Sequence, residues 1–322
     1  MEKETKSIKI SHVEIQPGDK AVVEIPVGSL PAGTHIDIVA HVFRSMYEGP
    51  TVLILAGVHG DEINGIEIVR RSLVSGIYDH LIKGTVIVIP LLNIFGFINF
   101  SRDVPDGKDV NRSFPGLSTG SLASRVARVM TKMILPLIDF GVDFHTGGAS
   151  RYNYPQVRYG KVDQRAKELA KAFAPPFIIE KSYITKSLRK VAHGMKVPII
   201  VYEAGESVRL DGYSIEKGYN GLLRLLKHEG MIDHAPEERN RTVNLKKTSW
   251  VRAPFSGLFT WSRDSGVFVY KGEPLGIVND IHGTKSTTVL SNRDGFIIGH
   301  NNASVVSQGD ALFHIGYESE II

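Results

Sequence analysis

From Thr51 onward the chain alternates short apolar runs with helical patterns. TVLILAGV (51–58) is followed by a period through Ile66, Val69 and Leu73, then TVIVIPLLN (85–93), a loop, and a helical stretch over 122–137. Runs of this length made of Val, Ile and Leu are strands buried on both faces, and strands that alternate with helices build a largely parallel sheet covered on both sides. Further strands are expected at 141–144 and 198–202, with helices at 163–173 and 218–229. Ahead of this region, the alternating stretches Val22–Val27 and His35–Val42, set off by Pro-Gly and Pro-Ala-Gly signals, predict a β meander within residues 1–48 at the edge of the sheet. The α/β pattern ends near 235.

The polar segment 236–249 reads as a connector, and 250–322 as a separate all-β unit. That tail contains two similar halves. APFSGLF and VYKGEPLGIV are echoed by NRDGFIIG and VSQGDALFHIG, and Gly272 and Leu275 recur as Gly309 and Leu312, 37 residues on (272 to 309, 275 to 312). Two copies are too few for a solenoid, so a small two-fold sandwich of hairpins is expected.

Three apolar strands end in residues that bind metals. His59 and Glu62 follow the first, spaced so that one helical turn would bring both to one face; Gly57 and Gly60 bracket the His and permit a tight passage out of the strand. His145 follows GVDF and precedes Thr146, Gly147 and Gly148, and Glu203 follows IIVY. A lone His after a strand is usually held by ordinary hydrogen bonds. Two His and two Glu delivered to the rim where open α/β sheets bind ligands outweigh that reading. With no Cys in the chain, a metal must be held by imidazole and carboxylate, and Zn²⁺ accepts both. Three of the four groups would hold one zinc ion per chain. Glu203 is assigned as the base that takes a proton from water. Arg102, Asn111 and Arg112 lie together in the turn-rich loop 93–116, where the planar fork of an Arg suits a substrate carboxylate.

These residues resemble the succinylglutamate desuccinylase and aspartoacylase family, within the wider zinc carboxypeptidase superfamily. The resemblance rests on AGVHGDEINGIE (56–67), Arg102 with DVNRSFPG (109–116), DFHTGG (143–148) and YEAGE (202–206), in the expected order. It implies a zinc-carboxypeptidase-like mixed, largely parallel sheet flanked by helices, with a small barrel-sandwich-like C-terminal domain. It implies zinc on His59, Glu62 and His145, Glu203 as general base, Arg102 on the oxyanion, and Asn111 and Arg112 on the substrate carboxylate. Arg158 matches a further substrate-contacting Arg. The implied activity is removal of an acyl group from an N-acyl amino acid. The tail also resembles biotinyl and lipoyl carriers more distantly; Lys285, in NDIHGTKSTTVL, lacks the Met neighbours of a carrier lysine, so covering the cleft is the expected role, with His282 as a candidate lining residue.

Two alternatives stand beside the deacylase: a metallocarboxypeptidase trimming short peptides, and a metal-binding or acyl-carrier module without hydrolysis. Lys and Arg total 38 against 34 Asp and Glu and are dispersed, which argues against nucleic acid as a partner. The opening MEKETKSIKISHVE has no apolar core of a signal peptide, and no run approaches the ~20 residues of a membrane span, so a cytoplasmic location without membrane contact is expected. Assembly into a homo-oligomer is left open.

Overall fold

A computed structural model describes residues 6–29, 33, 35–238 and 241–322. At its centre is a 12-stranded sheet. From one edge the order is Lys20–Ser29, His35–Arg44, Thr85–Ile89, Thr51–Ala56, Phe140–Gly147, Ile199–Glu206, Arg151–Gly160, Phe177–Lys181, Val243–Arg252, Ala311–Ile321, Gly295–Asn301 and Phe268–Val269.

The middle strands alternate their side chains between two apolar layers. Leu53 and Leu55 pack with the helices Leu122–Val129 and Leu188–Gly194, whereas Val52, Ile54 and Ala56 pack with Ile63–Val74, Gln164–Phe173 and Gly212–His228. Burial on both faces is why TVLILA reads as a continuous apolar run rather than an alternating one. Asp163 and Asp211 cap their helices by accepting from the N–H groups of Ala166 and Ser214, which fixes where those helices begin.

The sheet is mixed, as expected, but not largely parallel. Thr85–Ile89, Thr51–Ala56, Phe140–Gly147 and Ile199–Glu206 run parallel, but Arg151–Gly160 lies antiparallel to Ile199–Glu206, and both flanks add antiparallel pairs. At one edge the short connection between Lys20–Ser29 and His35–Arg44 makes an antiparallel hairpin. The segment expected as a connector, 236–249, is also different. Its residues 239–240 lie outside the described set, but Val243–Arg252 is a strand that pairs with Phe177–Lys181 on one side and Ala311–Ile321 on the other. Its polar composition reflects Lys246 and Lys247 facing solvent, while Asn244 and Leu245 are buried.

One layer of the tail is therefore the far end of the main sheet, and the other is a four-stranded sheet containing Gly257–Trp261 and Pro274–Asn279. Phe259, Leu275, Val278, Leu312, Phe313 and Ile315 fill the space between. The internal repeat is visible in matched turns: Gly272 and Gly309 adopt left-handed φ values of 84° and 87°. Among the described residues no helix is long and apolar enough to cross a membrane.

Candidate functional site

Parallel register carries the site. Tyr202 pairs with Phe144 and Glu203 with His145, so the alternation of side chains sends the two aromatics to one face and the two polar groups to the other. Phe144 and Tyr202 pack edge to face at 5.8 Å, and the Tyr202 hydroxyl donates to the Ser214 carbonyl. This apolar backing fixes the strand ends. Both strands extend further than the sequence indicated, so His145 and Glu203 lie within Phe140–Gly147 and Ile199–Glu206 rather than just past them.

His59 and Glu62 occupy the turn between Thr51–Ala56 and Ile63–Val74, not the first helical turn. Gly57 has φ 64°, and a Cβ on Gly60 would lie 1.9 Å from the Gly96–Phe97 backbone, so both glycines are needed for this passage. Glu62 is the N-cap residue of the helix yet makes no side-chain cap bond. Its carboxylate turns instead toward the imidazoles: Oε1 is 2.8 Å from His59 Nδ1 and Oε2 is 2.7 Å from His145 Nδ1. Asn64 ties this turn to the Glu203 strand, donating to the Ala204 carbonyl and accepting from the Asp211 N–H.

The donors of His59, Glu62 and His145 lie within 4.8 Å of one another, and all three residues are buried. Their chemistry fits a cation. His145 Nε2 is 2.8 Å from Asp143 Oδ2 and His59 Nε2 is 3.2 Å from Asp109 Oδ1. A carboxylate that accepts the Nε–H leaves Nδ1 to offer its lone pair to a cation, the arrangement that outer partners give metal-binding histidines. The two Nδ1 atoms face each other at 3.2 Å beside the Glu62 oxygens, a cluster of acceptors that repels itself unless positive charge sits among them. Arg102 already brings one such charge, with Nη1 3.3 Å from Glu62 Oε1. The electrostatics agree. Burial alone would lower His145, but Asp143 and Glu62 outweigh it and raise the imidazole well above its ordinary value. Burial alone would raise Glu62, but His59 and His145 hold it well below the usual carboxylate range.

All eight residues expected from sequence line one cavity of about 700 Å³, within the range of small-molecule sites. Arg102 is held by Asp109, donating from Nε and Nη2 to Oδ2 at 3.1 and 2.8 Å. Asn111 Oδ1 accepts from the Leu188 N–H. Arg112 is half-exposed and donates to the Asn111 carbonyl. Glu203 is not free: Oε1 accepts from Arg158 Nη1 and Oε2 from Asn153 Nδ2, each at 2.8 Å. Arg158 thus reaches the cavity while positioning the carboxylate beside the metal donors. His282 is exposed and does not line the cavity; the tail contributes Trp250 instead.

Sequence reasoning gave no role to Asp109, Asp143, Asn153 or Arg189. A signal existed for Asp143, which stands two residues before His145 and so shares its face of the strand. For Asp109 the quoted motif DVNR held the residue, but only the fold shows that it orients both His59 and Arg102.

Comparison with known proteins identifies the family. The succinylglutamate desuccinylase/aspartoacylase catalytic domain matches residues 48–229. An N-alpha-acetyl-L-2,4-diaminobutyric acid deacetylase from Halomonas elongata is 28% identical over 279 residues, covering 82% of this chain and 81% of that one. Among solved structures, a succinylglutamate desuccinylase/aspartoacylase from Rhodobacter sphaeroides aligns with a TM-score of 0.81 at 27% identity, covering 93% of this chain and 95% of the other. The product-bound ectoine utilization protein EutE (DoeB) from Ruegeria pomeroyi aligns at 0.83 and 25% identity, covering 97% and 99%. The chain belongs to the succinylglutamate desuccinylase/aspartoacylase family.

Proposed function

We propose that this chain is a zinc-dependent hydrolase that cleaves the amide of an N-acyl amino acid. The observation that carries the reading is the register of Glu203 against His145, which sets a carboxylate base beside a His/Glu/His donor set on one cavity wall. Zinc on His59, Glu62 and His145 would supply a Lewis acid and lower the pKa of water toward ~7. Glu203, oriented by Arg158 and Asn153, takes a proton from the attacking water as its oxygen adds to the amide carbon. Arg102, fixed by Asp109, donates to the oxyanion that forms. The C–N bond then breaks, Glu203 passes the proton to the leaving amine, and a carboxylate and a free amine depart. Asn111 and Arg112 hold the carboxylate of the amino acid.

The relative from Halomonas elongata, named for an N-acetylated diamino acid, supports an acylated amino acid as the substrate class. In this reading residues 1–235 are the catalytic unit and 250–322 a β unit that closes the cavity. Trp250 lines it, and Asn302 Nδ2 donates to Glu206 Oε2 at 2.6 Å at the end of the Glu203 strand. Closure of this kind disfavours the metallocarboxypeptidase, which must admit a peptide. The soluble partner is a small molecule and the setting cytoplasmic. Zinc-loaded protein is assayed against N-acetyl and N-succinyl amino acids and against dipeptides, with amine release as readout. Cleavage of the acyl amino acids is expected; cleavage of dipeptides alone assigns the carboxypeptidase.

A further inference from the structure

The carboxylate proposed as base is held by a strand that the tail holds in turn. Arg151–Gly160 lies antiparallel to Ile199–Glu206, and its second half, from Gln156 to Gly160, pairs on the other side with Phe177–Lys181. Its first half pairs there with the tail: Arg151 with Asn301, Tyr152 with His300 and Asn153 with Gly299. Asn153 therefore sits between Gly205 of the Glu203 strand and Gly299 of the tail, and its Nδ2 donates to Glu203 Oε2 at 2.8 Å.

Further contacts fasten the tail around this residue. Ahead of it, the Asn302 N–H donates to the Ser150 carbonyl at 2.7 Å. Past it, the fully buried Gln156 donates from Nε2 to the Ile298 carbonyl at 3.0 Å. On the Glu203 strand, Glu206 Oε2 accepts from Asn302 Nδ2 at 2.6 Å, and Asn302 is itself steadied by Trp261, whose Nε1 donates to its Oδ1 at 3.0 Å. The Tyr152 ring lies 5.2 Å from that of His300, which also stands 4.5 Å from Trp261.

Gly299 is the point at which this grip reaches Asn153. A Cβ there would lie 2.7 Å from the Tyr152 carbonyl oxygen and 3.1 Å from Asn153 Oδ1, so an added side chain must push the strand or the amide that holds Glu203. The Gly299 backbone is not left-handed, so its bare Cα answers to this close approach and not to a turn. Such a displacement matters for chemistry: hydrogen bonds weaken steeply out of line, and a shift of about 1 Å at a reacting group can cost about 10²-fold in rate.

We infer that Gly299 and Asn302 of the tail are positioning residues for the reaction, holding Asn153 and the end of the Glu203 strand so that the carboxylate stays aimed at the attacking water. This rests on the hydrolytic reading above. Neither residue lines the cavity, so both act through Asn153 and Glu206 and not on substrate.

Gly299→Ala and Asn302→Ala test it. On the acyl amino acid that the parent chain cleaves best, Gly299→Ala should lower kcat by about tenfold or more with KM and zinc content within about twofold, the size expected for losing a hydrogen bond to a carboxylate. In an Asn153→Ala background the same substitution should cost less than about twofold, because the amide it disturbs is gone. A fall confined to KM, or a tenfold loss that persists without Asn153, overturns the inference. Asn302→Ala, which adds nothing at Gly299, should lower kcat by about threefold or more, and parental kcat in whichever variant folds also overturns it. A crystal structure of Gly299→Ala reads the support without turnover: Asn153 Nδ2 should leave hydrogen-bond reach of Glu203 Oε2, and a contact still at 2.8 Å contradicts the inference. If the parent chain cleaves no acyl amino acid while that contact breaks in Gly299→Ala, the hydrolytic reading fails and the positioning of Glu203 by the tail stands.

Discussion

The two ends of the cavity are built on opposite principles. At the end that holds His59 and His145, each imidazole has a carboxylate oxygen behind it and Glu62 between them, so buried acid faces imidazole, with Asp143 Oδ1 and Asp61 Oδ1 left unpartnered among the described residues. At the other end, Arg158, Arg189 and Lys181 gather around one engaged carboxylate, and nitrogen atoms are left unpartnered. Charge-matched networks of this kind hold a geometry rigidly, which chemistry on a reacting atom requires. The difference follows the sheet: the reactive groups stand on or beside the central parallel strands, whereas the cationic end uses the antiparallel strand Arg151–Gly160 and a short helix.

Substitutions can break or sharpen that contrast. The largest effect is expected from Glu203→Gln, which keeps the shape but removes the proposed base; kcat should fall by about 10²–10⁴-fold with metal content unchanged. Next, Arg102→Ala should lower kcat by about 10²–10³-fold, more than it raises KM, whereas Arg112→Ala should act chiefly on KM. Steady-state kinetics of the pair separates oxyanion from carboxylate recognition. Asp143→Asn cannot orient the His145 tautomer as the carboxylate does, and should weaken zinc affinity by about 10–100-fold, read by competition with a chelator.

The smallest effect reads stability at the cationic end. Lys181 is brought down to about 8 in the folded chain from an ordinary 10.5, so the unfolded chain binds the proton more tightly. The penalty for charging it is full below about pH 8 and fades as pH rises to 10.5. Lys181→Met should therefore stabilise the fold at pH 7 by on the order of 1–2 kcal/mol, after discounting for partial exposure. Thermal melts should show that gain disappearing near pH 10.5.

The His59, Glu62 and His145 cluster was legible because its residues follow apolar runs that can only be buried strands, and strand ends in an α/β sheet share a rim. The tail repeat was legible for a similar local reason, the turn glycines Gly272 and Gly309. The cationic end was not. Arg151–Gly160 carries Asn, Pro, Gln and two Arg, which suit a loop by composition, and pairing with Ile199–Glu206 and Phe177–Lys181 makes it part of the sheet. Val243–Arg252 was hidden by its lysines, since a strand needs backbone partners and only one apolar face. Arg189 looks in sequence like any surface cation of a helix. Its place on the cavity wall beside Arg158 is a tertiary fact with no local signal.

The central claim is that His59, Glu62 and His145 hold a zinc ion on which turnover depends. Elemental analysis of purified protein, paired with amine-release rates before and after chelation, tests it most directly. One zinc per chain is expected, lost in His59→Ala and His145→Ala, with activity falling and returning as the ion is removed and restored. A chelated, metal-free chain that still hydrolyses its substrate at the full rate would contradict it.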